Sequence, residues 1–435
     1  MLSCTKYSLV PCPDALRTVK SEYTEKHPKS FEAFNKAAQV MPGGGSRHTI
    51  SVDPFPLFIT GGKGHYVTDI DGHEYLDLAG DMVSGLYGKN NPIIRDAIVA
   101  ALDSGIQLGM HSQKEAEFAN LIRERLPSME LIRYANSGTE AGMISILAAM
   151  HYTKRSKVVM FRNGYHGGII TGFKLPPDGP AVLRVPFDFV FCPYNDLEKT
   201  REIVKSIADD AACIIVEPMQ GAGGCIAGTP EFLRGLRSLA TKVGAVLIFD
   251  EVQTARLAFH GLQGVHGITP DMTTIGKFFG GGMAGWFGQD YGHVISRFDS
   301  RDPASVKVGG TFNNSIMTMS AGIAALTHVM TKPAMDKVNS LGDLLRHELA
   351  ALFQKLGAPY VVSGIGSINQ IYCVLPDEEA VAGLQLLYFG MLGKGIAIAP
   401  RGLLALTLVA EESDIYHILK VFEEVLQGDL FEPRQ

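Results

Sequence analysis

At 435 residues the chain is long enough for two lobes, each with its own hydrophobic core. Hydrophobic residues make up 46% and charged residues 19%, ordinary for a soluble globular enzyme, and a formal net charge of −6 leaves no basic footprint for nucleic acid. No apolar run approaches the roughly 18 residues that cross a bilayer, and six cysteines without paired spacing point to reduced thiols in the cytoplasm and to no metal site.

Residues 1–30 read as a polar leader, with lysines, acids and prolines but no apolar core of a secretory signal. Residues 31–80 are expected to open a smaller lobe. Segment 30–41 begins on Ser30 and keeps helical apolar spacing until Pro42 and three glycines end it. Arg47 follows, and two readings stay open for it: an exposed loop charge, or a bidentate clamp for a carboxylate. The alternating stretches 57–60 and 64–70, the turn Asp71-Gly72 and residues 74–78 predict a small antiparallel meander.

Residues 81–330 are expected to form the larger domain. Helices are predicted from Pro92 to about Ser104 and from Gln113 to Leu126. Residues 132–136 lead into Ser137-Gly138-Thr139-Glu140, whose capping-box spacing marks the start of a helix reaching Thr153. Such a start offers free backbone N–H groups and hydroxyls to a phosphate, or merely caps a helix. Strands at 157–161, 213–216 and 245–250, with a helix at 230–243, give the alternation of a mostly parallel sheet covered by helices.

Ligands of such sheets bind beyond the carboxyl ends of the strands. The ends here carry Tyr165 and His166, then Glu217, then Asp250, then Lys277, which is followed by two phenylalanines and three glycines. Tyr165 is either a stacking partner for a planar ring or a buried loop aromatic, and His166 is either a base or structural. A partly desolvated lysine forms a Schiff base with an aldehyde cofactor. Pyridoxal phosphate also needs a carboxylate that keeps its pyridine nitrogen protonated. Lys277 and Asp250, on successive strand ends, fit those two needs. Residues 306–310 lead to Thr311 and a helix from about Ile316 to Met330. Residues 331–435 read as helices 333–356, 378–394 and 412–427 with strands near 360–375, an α+β lobe with Arg401 on a turn.

From Phe34 to Phe422 these landmarks resemble the class III (ω-type) aminotransferases of fold type I. The likeness is carried by Pro42-Gly43-Gly44, Asn136-Ser137-Gly138-Thr139-Glu140-Ala141, Tyr165-His166-Gly167, Val216-Glu217-Pro218, Asp250-Glu251-Val252-Gln253-Thr254, Gly276-Lys277 and Gly310-Thr311-Phe312. Within the class the chain looks closest to glutamate-1-semialdehyde aminomutases and β-amino-acid aminotransferases. Gly85-Leu86-Tyr87-Gly88 and Ala399-Pro400-Arg401-Gly402 resemble the β-amino-acid branch.

The resemblance implies an α/β fold with a smaller lobe from both termini, bound pyridoxal 5'-phosphate, and a homodimer with shared active sites. The expected reaction moves an amino group from an amino acid, β-amino acid or amine to a keto acid. Lys277 would carry the Schiff base and shuttle a proton, and Asp250 would pair with the pyridinium nitrogen. Ser137, Gly138 and Thr139 would hold the phosphate, completed by Thr311 of the neighbouring subunit. Tyr165 would stack on one ring face and Val252 pack on the other, with Gln253 on the phenolic oxygen and Glu217 on the substrate side. Arg47 and Arg401 would bind carboxylates. Two departures stand out: Gly142, where relatives carry asparagine, and Trp286 in the run after the lysine. The rival readings are an intramolecular aminomutase, a pyridoxal phosphate-dependent decarboxylase or lyase, and a noncatalytic cofactor-binding scaffold.

Overall fold

The computed structural model describes residues 7–433 apart from 13, 172–184, 284–285 and 291–293, with residues 286–290 described by their backbone. The chain forms two units, one of residues 92–336 and one of residues 1–91 with 337–435.

The 92–336 unit is built on a seven-stranded sheet. Its strands are β1 (Leu131–Ala135), β2 (Lys157–Phe161), β3 (Asp188–Cys192), β4 (Ala211–Val216), β5 (Val246–Asp250), β6 (Met272–Ile275) and β7 (Trp286–Asp290). They lie in the order β1-β7-β6-β5-β4-β2-β3, and only β7 runs antiparallel to its neighbours. Every residue of β4 and β5 is buried, because helices cover both faces of the sheet. Successive side chains therefore divide between two cores. Val158, Met160, Cys213, Ile215 and Ile248 pack with Ile144, Ala148 and Ala149 of helix Gly138–Thr153. Val159, Phe161, Ile214, Val216 and Phe249 pack with Phe232, Leu236 and Leu239 of helix Pro230–Val243 on the other side. That second helix starts at Thr229, whose hydroxyl accepts from Phe232 N, and stops at Gly244 in the left-handed region.

Three features go beyond the sequence reading. Strand β3 and helix Leu197–Ser206 come between the 163–168 loop and β4 in the chain. Strand β7 inserts antiparallel between β6 and β1, the one departure in a sheet that is mostly parallel as expected. The helix at Ile316–Ala324 continues as a π-helical turn over Ala325–Val329.

In the other unit, Ile59–Lys63, Tyr66–Asp69 and Glu74–Asp77 form the antiparallel meander, and Ile396–Ala397 adds to it in parallel. Tyr360–Ile365, Ile368–Cys373 and Leu403–Ala405 form a second, antiparallel sheet. Within residues 1–30, read from the sequence as a polar leader, the structure has regular elements. Leu9–Pro11 pairs with Phe431–Pro433, and Ala15–Lys26 is a helix. Its apolar residues, Ala15, Leu16, Val19 and Tyr23, join the core of this unit, and the Tyr23 hydroxyl donates to Phe55 O at 2.9 Å. One apolar stripe is enough to dock a helix whose average composition is polar. The divisions fall at 91/92 and 336/337, not at 80/81 and 330/331. Segment 81–91 stays with the smaller unit, where Leu408 N donates to Leu86 O at 2.8 Å. Among the described residues no helix is long and apolar enough to cross a membrane.

Candidate active site

Strands β1, β2, β4, β5 and β6 share one direction, so the loops after them meet at one edge of the sheet. Asp250 ends β5 in register with Thr274 of β6, and Lys277 follows three residues on. Lys277 is half-buried between buried Gly276 and Phe278 and holds φ +53°, an uncommon conformation for a side chain other than glycine. The chain then turns sharply, and Gly281 (φ +66°) lies against the backbone of Ala321, where a Cβ would come within 2.6 Å. A strained residue fixed by buried packing is the kind of conformation that catalytic positions retain.

Asp250 is 6% exposed and its two oxygens are both engaged. Oδ1 accepts from Val252 N at 3.1 Å, and Oδ2 accepts from His166 Nδ1 at 2.7 Å. His166 reaches it from the loop after β2, on the far side of β4, and is itself buried. Burial opposes the charged imidazole, but the hydrogen bond and charge of Asp250, aided by Glu217, carry its pKa above the ordinary value. Glu217, at the end of β4, accepts from Tyr165 N (2.8 Å) through one oxygen and from Gly221 N (3.0 Å) through the other. Burial pushes its carboxyl up to about 7.

Ser137, Gly138 and Thr139 start the helix that follows β1. Ser137 Oγ accepts from Glu140 N, as the capping spacing predicts, but Glu140 reaches back to Asn136 N at 2.7 Å instead of closing the box on Ser137. The N–H groups of this first turn have no partner inside the helix. Gly167 (φ +118°) lies so close that a Cβ there would collide with the Thr139 hydroxyl. Gly142 has a similar reason: a Cβ would stand 3.0 Å from Ile170 Cδ1 and 3.2 Å from His166 O. The loop carrying Tyr165 and His166 is thus clamped onto the helix start. Gln253 is buried, and its amide fills the space a side chain at Gly221 would need.

The structure therefore brings together Ser137, Gly138, Thr139, Tyr165, Glu217, Asp250, Val252, Gln253 and Lys277 at one sheet edge. Thr311 is exposed in the same unit. Arg47 and Arg401 belong to the other unit. Arg47 Nη1 pairs with Asp81 Oδ1 at 2.6 Å, and the Arg401 carbonyl accepts from Gln370 Nε2. The side chain of Trp286 lies outside the described residues. The donor set suits pyridoxal phosphate: an amine at a strand end, a buried carboxylate hydrogen-bonded to a histidine, and a helix start for a phosphate. His166 is the residue whose part the sequence left undecided, since its partner lies 84 positions away.

A family model described as aminotransferase class-III matches residues 48–426. A β-phenylalanine transaminase of Variovorax paradoxus is 42% identical over 410 residues, 92% of this chain and 93% of that protein. A glutamate-1-semialdehyde 2,1-aminomutase of Lachnoclostridium phytofermentans is 36% identical over 92% of this chain and 99% of that one. The crystal structure of a β-phenylalanine aminotransferase from V. paradoxus matches with a TM-score of 0.92 at 40% identity, covering 97% of this chain and 99% of that chain.

Proposed function

The chain belongs to the class-III aminotransferases, enzymes dependent on pyridoxal phosphate, and from that premise we propose that it transfers the amino group of a β-amino acid to a keto acid. The donor class rests on the 42% identity to a β-phenylalanine transaminase across nearly the whole chain.

When bound, pyridoxal phosphate supplies an electron-withdrawing ring that makes the hydrogen on the amine-bearing carbon acidic. Asp250 would keep the pyridine nitrogen protonated. His166, donating into Oδ2, holds Asp250 in one orientation. Lys277 Nζ would move the proton from the amine-bearing substrate carbon to the cofactor carbon on the other side of that nitrogen, the general acid–base role of a partly desolvated amine. The helix start at Ser137, Gly138 and Thr139 would hold the phosphate. Tyr165 would stack on one ring face, Val252 would pack on the other, and Gln253 would donate to the phenolic oxygen. Glu217 fixes the Tyr165 and Gly221 backbones on the substrate side.

Arg47 and Arg401 receive the carboxylates of donor and acceptor. Arg47 already holds Asp81, so a substrate carboxylate shares or displaces that partner. The enzyme works as a homodimer in which Thr311 completes the neighbouring phosphate site. Phe312 (63% exposed) and Met110 (82%) offer the apolar surface that a subunit contact covers, and Asn314 Nδ2 ties their loops by donating to Met110 O. The described cysteines are all free thiols, which fits a reducing cytoplasm.

The aminomutase relative supports a second reading, in which the amine moves within one molecule. It separates cleanly from transfer because it needs no acceptor. For the site, Lys277→Ala is expected to lose the borohydride-fixable cofactor adduct and roughly 10²–10⁴-fold or more in turnover. A normal adduct in that variant would place the reactive amine elsewhere.

A further inference from the structure

We infer that His27, Asp69 and His73 form a binding site for a divalent transition cation of the zinc type. The three lie in the unit built from both chain ends, where the turn between Tyr66–Asp69 and Glu74–Asp77 meets the junction of helices Ala15–Lys26 and Pro28–Ala38. One nitrogen of each histidine and one oxygen of Asp69 all stand within 4.8 Å of one another. His73 Nδ1 is 3.0 Å and His27 Nε2 is 3.7 Å from Asp69 Oδ2. Bonds of about 2.0 Å place the corners of a tetrahedral zinc site about 3.3 Å apart, so the two separations bracket the required edge. The Tyr75 hydroxyl, 2.8 Å from His27 Nε2 and 3.0 Å from Asp69 Oδ2, supplies an oxygen at the fourth corner.

The surroundings hold His27 and Asp69 in ligating form, and His73 Nδ1 gives up the proton it shares with Asp69 to join them. His27 Nδ1 lies 2.6 Å from Tyr23 O. A carbonyl only accepts, so Nδ1 carries the proton and Nε2 turns its lone pair toward the cluster, the arrangement metal sites impose through their outer shell. Asp69 Oδ1 accepts from His73 N at 2.8 Å, which fixes the carboxylate. Asp71 accepts from Lys29 N, Ser30 N and the Ser30 hydroxyl, pinning the turn to the helix start. Without a cation the buried acceptors are served by the Tyr75 hydroxyl at His27 Nε2 and by His73 Nδ1 at Asp69 Oδ2. A cation on the two imidazoles replaces those two hydrogens and turns the Tyr75 hydrogen to Asp69.

Two imidazoles and a carboxylate suit zinc, cobalt(II), nickel(II) or copper(II), whereas calcium and magnesium favour oxygen-only sets. His73, with its side chain 44% exposed, gives the cation access from solvent. Occupancy would tie the N-terminal helices to the meander and raise the stability of the folded chain by mass action. The sequence expectation of no metal site rested on cysteine spacing, which this thiol-free set escapes.

The test uses chelator-treated holoenzyme titrated with Zn²⁺, beside His73→Ala. The wild type is expected to bind one more equivalent per chain than the variant and to gain melting temperature with Zn²⁺ where the variant does not. Zinc X-ray absorption on the wild type, which needs no variant, is expected to show two imidazoles among nitrogen and oxygen ligands. No binding up to about millimolar Zn²⁺, equal stoichiometry and melting shift in the two proteins, or a spectrum lacking the imidazole pair would each overturn the assignment.

Discussion

Asp250 and Glu251 are neighbours at the end of one strand and serve different partners. Asp250 is gripped by His166 and Val252 N, whereas Glu251 accepts from Leu262 N, Gln263 N and the Thr254 hydroxyl and so anchors the chain beyond the strand. The sequence shows a pair of acids after an apolar run. It gives the cofactor role to the first only through strand register and family resemblance, because the partner that fixes that role is distant in the chain. Asp250→Asn is expected to keep the fold and lose at least about 10²-fold in turnover; unchanged turnover would remove its electronic task. Glu217 yields a pH signature in the cofactor-free protein. Its carboxyl is pushed from 4.5 up to about 7 by burial, so between those values the folded state binds a proton that the unfolded state has released. Stability therefore falls as pH rises across that window and levels off above it. Melting curves of the wild type and Glu217→Gln should diverge from pH 4.5 to 7, and a constant gap would show that the carboxyl titrates normally.

At the scale of elements, the start of helix Gly138–Thr153 and the 163–168 loop form one unit of construction. Capping residues were readable in advance because they act over three or four positions. The clamp between them was not, since it depends on glycines whose neighbours are 28 residues away: Gly167 against Thr139, and Gly142 against Ile170. A glycine inside a helix costs about 1 kcal/mol against alanine, and at 142 the close approach of the loop explains why it is present. Gly167→Ala combines a disfavoured φ with a collision. It is expected to destabilise the protein by roughly 2–4 kcal/mol and to weaken cofactor binding. Urea unfolding would contradict the clamp if the loss were under about 0.5 kcal/mol. The same difference of range explains the N-terminal helix. Its polarity was visible, but the pairing of Leu9–Pro11 with Phe431–Pro433 joins the two ends of the chain.

For the whole molecule, the parallel sheet, the carboxyl-edge placement of Lys277 and Asp250, and the meander were legible from periodicity and turn residues. The antiparallel insertion of β7 and the exchange of segment 81–91 into the smaller unit were not, because both depend on pairings between distant segments. The claim that most needs testing is the reaction itself: amino transfer from a β-amino acid through a two-stage exchange. The direct measurement mixes purified holoenzyme with β-phenylalanine and no acceptor, follows the cofactor absorbance, and then adds 2-oxoglutarate or pyruvate. Loss of the long-wavelength cofactor band on adding the donor, and its return with the keto acid, is the expected result. An unchanged band with β-phenylalanine, together with isomerised product from an amino-aldehyde and no need for an acceptor, would contradict transfer and establish the aminomutase.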